Sequence, residues 1–273
     1  MEFKVACLQF NNSSNMEANL KLISTLLMQA KTGKAELSVL PENCFLMPKN
    51  GRELDQQQYT MAKHPGVLLC QKLAKELTMD ILIGSIAIRN SPKSKLRNRS
   101  VYIDQTGKIL GYYDKMHLFD VYLSKREIYM ESNRIAKGHK FKVIQTRFGG
   151  CGLSICYDLR FSYLYRKLAL IGADFITVPA AFTYTTGQKH WHVLLRARAI
   201  ETGCFVFAPA LCGIHDNTRH TYGHSLIISP DGIILAEGDE DKNQVIFADI
   251  NLLEIEQYRD RLGIFKNARG AGM

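Results

Sequence analysis

The chain has 273 residues, 46% hydrophobic and 22% charged, a balance that excludes disordered, fibrous and collagen-like proteins and points to a globular chain with a sizeable core. Its formal net charge of +9 raises a nucleic-acid reading, but the Lys and Arg residues are spread out and not gathered into a basic patch with interleaved aromatics, so no nucleic-acid partner is expected. Seven cysteines, an odd number with no Cys-x-x-Cys pair, speak against a disulfide framework or a zinc ribbon and fit reduced thiols in the cytosol.

In chain order, Phe3 to Phe10 reads as a buried strand, and Leu20, Ile23, Leu26, Leu27 and Ala30 then recur at helical spacing before Gly33. Leu37 to Leu40 returns as a strand ending at Pro41. A helix over Val67 to Leu77 and a strand over Ile81 to Ile88 repeat the unit. The densest basic run, Lys93 to Arg99, is expected to be a solvated loop. Ser100 to Ile103 and Ile109 to Tyr113 flank the turn Gln105-Thr106-Gly107 as a hairpin. Further strands are expected near Phe141 to Gln145, Gly152 to Ile155, Phe175 to Val178, Phe205 to Ala208, Ser225 to Ile228, Ile233 to Ala236 and Val245 to Ile250. Helices near Tyr163 to Ile171 and Lys189 to Thr202 separate some of them. No segment approaches the ~18 apolar residues of a membrane span, and no membrane partner is expected. With no linker and no internal repeat, the pattern predicts a single domain over 1–273, an α/β fold of two mixed sheets packed together with helices outside.

Three reactive side chains follow predicted strand ends, where α/β proteins place their sites: Glu42, Lys115 and Cys156. Cys156 runs from a buried strand toward an amphipathic helix, and a helix N-terminus would favour its thiolate. The amide of Tyr157 is the first candidate donor to an oxyanion there. The competing reading for Cys156 is a buried structural cysteine, which suits Cys7, Cys70, Cys151 and Cys204 in their apolar stretches better. A thiol attacking an amide needs a base, a role open to Glu42, and a cation beside it, a role open to Lys115, although both residue types are usually exposed. The rival is a papain-like Cys-His pair using His190-Trp191-His192. A metal site there would lack a third ligand, and positions 190 and 192 point to different sides of a helix, so no metal is expected.

These residues stand in longer motifs: Leu40-Pro41-Glu42-Asn43, Lys115-Met116-His117-Leu118-Phe119-Asp120, and Ile155-Cys156-Tyr157-Asp158-Leu159-Arg160-Phe161. Through them the chain resembles the nitrilase superfamily of carbon-nitrogen hydrolases over nearly its whole length. The resemblance implies a four-layer αββα sandwich, a Glu42, Lys115, Cys156 triad, no cofactor, and a homodimer formed across the helices that follow the nucleophile and the next strand. It also implies Glu131 as a second carboxylate that positions substrate or Lys115. Thr185-Thr186-Gly187, His190-Trp191, Leu194 to Cys204 and Tyr222-Gly223-His224-Ser225 are most similar to the Nit amidase branch, which includes deaminated glutathione amidase and omega-amidase. This implies hydrolysis of a small 2-oxo acid amide such as deaminated glutathione through a thioester, with Arg160 as the carboxylate binder. The alternative is omega-amidase action on 2-oxoglutaramate, or another amidase or nitrilase activity of the superfamily. Gln188-Lys189 and the stretch Val121 to Arg126 depart from the branch pattern, which bears on substrate identity and not on the chemistry.

Overall fold

The computed structural model describes residues 1–91, 93–124, 127–216 and 219–267, so residues 268–273 of the expected domain lie outside the described residues. Two six-stranded mixed sheets form its centre. The first runs Gln244–Asn251, Glu2–Gln9, Leu37–Val39, Asp80–Ile88, Arg97–Ile103 and Ile109–Asp114. The second runs Ile234–Glu237, Leu226–Ile228, Phe205–Ala208, Phe175–Thr177, Gly149–Leu153 and Val143–Thr146. Each sheet holds three neighbouring parallel strands with antiparallel strands on both sides.

Alternation along the strands explains the layering. In the first strand Val5 and Cys7 face the other sheet, while Ala6 and Leu8 face the helices Met16–Thr32 and Pro65–Leu77 through Ile23, Leu27, Val67 and Cys70. Between the sheets Phe3 stacks on Phe148 at 4.4 Å, and Phe175 stacks on Phe207 at 5.2 Å. The second sheet is covered outside by Ser162–Leu170 and Tyr184–Thr202, whose Leu164, Leu168, Trp191, Leu195 and Ala199 are buried. The result is the expected four-layer αββα sandwich. All seven cysteines are free and buried. Among the described residues no helix is long and apolar enough to cross a membrane.

Besides the unexpected helices Gly51–Asp55 and Leu253–Leu262, the structure differs from the sequence reading in four places near the site. Arg97 to Arg99 are not solvated loop residues but open the strand Arg97–Ile103, where Asn98 and Arg99 are buried and Arg99 pairs with Asp114 at 2.7 Å. The expected helix at Lys189 begins earlier, at Tyr184, so His190 and His192 lie inside it and not in its first turn. Cys156 opens a five-residue 3-10 turn, Cys156–Arg160, and not an α-helix. Two short hairpins also escape the sequence pattern: Asp120–Ser124 with Glu127–Met130, and Cys212–His215 with Arg219–Tyr222. The first contains most of the divergent stretch Val121 to Arg126, of which Lys125 and Arg126 lie outside the described residues.

Candidate active site

Glu42 follows the strand Leu37–Val39 on a turn that closely approaches the neighbouring strand. At Gly84 a Cβ would sit 1.9 Å from the Leu40 carbonyl oxygen, so only glycine lets the two backbones approach this closely. Ser85 completes the contact, its N–H donating to Pro41 O and its hydroxyl accepting from the Asn43 N–H. Lys115 leaves the strand Ile109–Asp114, and its peptide is fixed by Asn98 O on one side and the Gly138 N–H on the other. Cys156 stands beyond the strand Gly149–Leu153 with a left-handed φ of 47°, a conformation costly for a residue with a side chain. Its N–H is spent on Pro179 O at 2.9 Å.

Asp158 locks these segments together. Buried completely, its carboxylate accepts from the Ile155 N–H at 2.9 Å, from the Tyr113 hydroxyl at 2.8 Å and from the His117 N–H at 3.0 Å. One carboxylate therefore ties the Lys115 segment to the Cys156 turn. The His117 ring adds a 2.6 Å contact from Nδ1 to Asp158 and stacks on Phe161 at 3.7 Å.

Glu42, Lys115 and Cys156 meet in a cleft of about 440 Å³, also lined by Glu131, Tyr157, Arg160 and Arg219. The Lys115 ammonium donates to Glu42 Oε1 at 2.8 Å and to Glu131 Oε2 at 3.0 Å. Asn98 Nδ2 donates to both carboxylates, at 3.0 and 3.2 Å. The Ala181 N–H donates to Glu42 Oε2 at 3.0 Å, and the Phe119 N–H to Glu131 Oε2 at 2.7 Å. Every oxygen of the two acids is thus held, as buried charge requires.

This arrangement sets the protonation states. Burial opposes the Glu42 charge, but Lys115, the Cys156 thiol and Arg219 outweigh it and hold the carboxyl below its ordinary range. Burial likewise opposes the Lys115 charge, and Glu131 with Glu42 overcomes it and holds its pKa above the usual value. Burial first, and the Glu42 charge next, push the Cys156 thiol well above its ordinary value, against the pull of Lys115 and the Ala181 N–H. The expected resting thiolate is therefore corrected: the 3-10 turn is too short to supply a helix field, and the sulfur rests as a neutral thiol beside a charged carboxylate.

The structure gathers all six residues singled out in the sequence around one cleft. Glu131 lies in the 3-10 turn Glu131–Asn133, in contact with Lys115. Tyr157 presents its ring edge-on to Phe119 at 5.1 Å. Arg160 does not pair with Asp158. It reaches the His190 ring at 3.3 Å and lies 5.4 Å from the Phe182 ring. Three further residues, Asn98, Asp158 and Arg219, serve the site without having been singled out by sequence. Asn98 falls in the run expected as basic loop, and Arg219 lies in one of the two unexpected hairpins. In the helical histidine cluster, the Trp191 ring is buried while His192 meets His224 and Glu237, both imidazoles contacting Glu237 Oε1 at 2.9 and 2.8 Å. That trio has the third ligand that the pair 190 and 192 lacked, but none of its members lines the cleft.

Residues 4–260 match the family model described as carbon-nitrogen hydrolase. The chain is 39% identical over 263 residues to a deaminated glutathione amidase of Synechocystis, covering 95% of this chain and 96% of that one. Among solved structures, it is similar to Saccharomyces cerevisiae Nit3, a member of branch 10 of the nitrilase superfamily, with a TM-score of 0.87 and 30% identity over 98% of this chain and 97% of that one. It is also similar to the C. elegans NitFhit protein, with a TM-score of 0.91 and 30% identity over 98% of this chain, which spans 65% of that longer chain.

Proposed function

The chain belongs to the carbon-nitrogen hydrolase family, and from that premise we propose that it is a cysteine-dependent amidase that cleaves a small 2-oxo acid amide such as deaminated glutathione, using Glu42, Lys115 and Cys156. The observation that carries this reading is the buried Lys115 ammonium, 2.8 Å from Glu42, with the Cys156 thiol beside the same carboxylate.

The chemistry follows from those positions. The Cys156 sulfur attacks the amide carbonyl carbon as its proton passes to Glu42. Lys115 and the Tyr157 N–H stabilise the oxyanion of the tetrahedral intermediate. Glu42 then gives the proton to the nitrogen, the C–N bond breaks, and the amine leaves behind a thioester. Water attacks the thioester as Glu42 takes one of its protons. The C–S bond breaks, the acid departs, and the sulfur recovers the proton from Glu42. Glu131 and Asn98 hold Lys115 and Glu42 in register without touching the reacting atoms.

Arg160 takes the carboxylate of the 2-oxo acid. Among the described residues it has no acidic partner, and its guanidinium opens on the cleft. Ammonia or amine release should be measured on 2-oxo amides, glutamine analogues and nitriles. Arg160→Met should lose about 10- to 100-fold on an amide with a free carboxylate and far less on its methyl ester. An unchanged preference would defeat the 2-oxo acid assignment. A homodimer across Ser162–Leu170 and Tyr184–Thr202 belongs to the same reading, supported by the exposed Tyr163, Val193 and Ile200. Sedimentation as a single copy at micromolar concentration would refute it.

A further inference from the structure

The cleft holds more positive charge than a single carboxylate needs. Among the cations that line it, Lys115 is neutralised by Glu42 and Glu131, Arg134 pairs with Asp55 at 3.2 Å, and Lys49 faces Asp216 at 3.9 Å. Arg160 and Arg219 pair with no carboxylate among the described residues. The acid on Arg219's own hairpin, Asp216, is turned away to the Ser14 N–H at 2.8 Å as well as to Lys49. Arg219 donates Nη2 to Ala181 O at 2.8 Å, its guanidinium lies 5.6 Å from the Tyr129 ring, and its buried Nε has no hydrogen-bond partner among the described residues. A guanidinium fork held in a cleft with donors to spare is suited to an incoming carboxylate.

The two arginines differ in what they are tied to. Arg160 ends the turn that begins at Cys156 and leans toward His190 and Phe182. Arg219 is joined to the base, because Ala181 accepts from Arg219 through its carbonyl and donates to Glu42 Oε2 through its N–H, at 3.0 Å. The Arg219 charge accordingly helps to hold Glu42 ionised. Glu42 must protonate the departing nitrogen, so the amine leaves on the Glu42 side.

We propose that Arg219 forms a second anion subsite, on the leaving-amine side of the cleft, and that the preferred substrates are amides whose amine fragment carries its own carboxylate. This rests on the amidase reading above and narrows it: an amide that releases bare ammonia has nothing to offer Arg219, whereas deaminated glutathione carries a carboxylate at each end. The reaction is unchanged; the subsite holds the amine fragment until Glu42 has protonated it.

The test compares deaminated glutathione with its C-terminal carboxamide, which share the acyl half and differ only in the charge of the amine half. Wild type should prefer the acid by about 10- to 100-fold in kcat/KM, the effect of one charged hydrogen-bonded pair. Arg219→Met should collapse that ratio toward unity, chiefly through KM, and Arg219→Lys should restore part of it. Arg160→Met should lose activity on both probes alike and keep the ratio. An Arg219→Met protein that slows on both probes equally, with its preference intact, would make Arg219 a strut for Ala181 and overturn the subsite. Wild type that cleaves both probes at one rate would also overturn it while leaving the amidase reading standing. Wild type that cleaves neither would remove both.

Discussion

Replacing Lys115 with Met tests the electrostatic core of the site. Methionine is close to lysine in length and unbranched, so packing is kept while the charge goes. In the wild type the ammonium lies 2.8 Å from Glu42 and 3.0 Å from Glu131, with the lysine and Glu42 side chains only 2% and 4% exposed. Removing it leaves two carboxylates that share Asn98 and have no cation between them. Breaking a buried pair in this way costs about 3–5 kcal/mol, and at roughly 2–4 °C per kcal/mol for a chain of this size the melting temperature should fall by about 6–20 °C. The sign with pH is fixed. In the variant burial of Glu42 is no longer offset by Lys115 and pushes its carboxyl above its unfolded value near ~4.3, so the penalty is full at neutral pH and shrinks as acid protonates it. Differential scanning fluorimetry at pH 8 and pH 5 should show a smaller gap between variant and wild type at pH 5. A loss of one or two degrees, equal at both pH values, would refute the reasoning.

Other outcomes follow from the same geometry. Asp158→Asn keeps the shape of the clamp but must set its amide N–H₂ against donors on one side, either the His117 N–H or the Tyr113 hydroxyl and Ile155 N–H. It should cost about 2 kcal/mol of stability and roughly 100-fold in kcat/KM through displacement of Cys156 from Lys115, read by thermal melting and kinetics. The pH profile of kcat/KM should be flat across neutrality, with an acid limb below the ordinary carboxylate range because Glu42 is held down, and no limb near pH ~8.5 because Cys156 is held up. An acid limb near pH ~6.5 would instead indicate a histidine base. Stability linkage has matching signs: the Glu42 contribution is complete above its unfolded pKa and is lost as pH falls through its lowered folded value. The Lys115 contribution is complete below its unfolded pKa and is lost as pH rises through its raised one. Glu42→Gln combined with Cys156→Ala should lose little more activity than either change alone, since one unit is being disabled twice.

Much of this architecture is legible in the sequence because the strands bury one face on each sheet partner and one on a helix, and Val5 and Cys7 against Ala6 and Leu8 record that in alternate positions. The helix Met16–Thr32 is readable from its buried Ile23, Leu27 and Ala30, and it ends at Gly33. Glu42, Lys115 and Cys156 are legible because each follows a strand and stands in a motif. Residues that act through other residues are not. Asn98 looks like part of a basic run, and only the strand register with Ala87 shows why it is buried beside Glu42. Asp158 is visible, but its partners come from Tyr113 and His117, 45 and 41 positions away, and local pattern carries no such pairing. Arg219 lies in a short hairpin with too few residues for a period. The thiolate expectation fails because it weighs a helix end and cannot weigh burial or the Glu42 charge.

The proposed mechanism requires Cys156 to carry the acyl group. Quenching wild type with acid during turnover of deaminated glutathione, then mapping peptides by mass spectrometry, should find the 2-oxo acyl mass on the peptide containing Cys156. The mass should be absent from Cys156→Ala and increased in Glu42→Gln if water activation slows more than attack. An acyl adduct on another cysteine, or substantial turnover by Cys156→Ala, would contradict it.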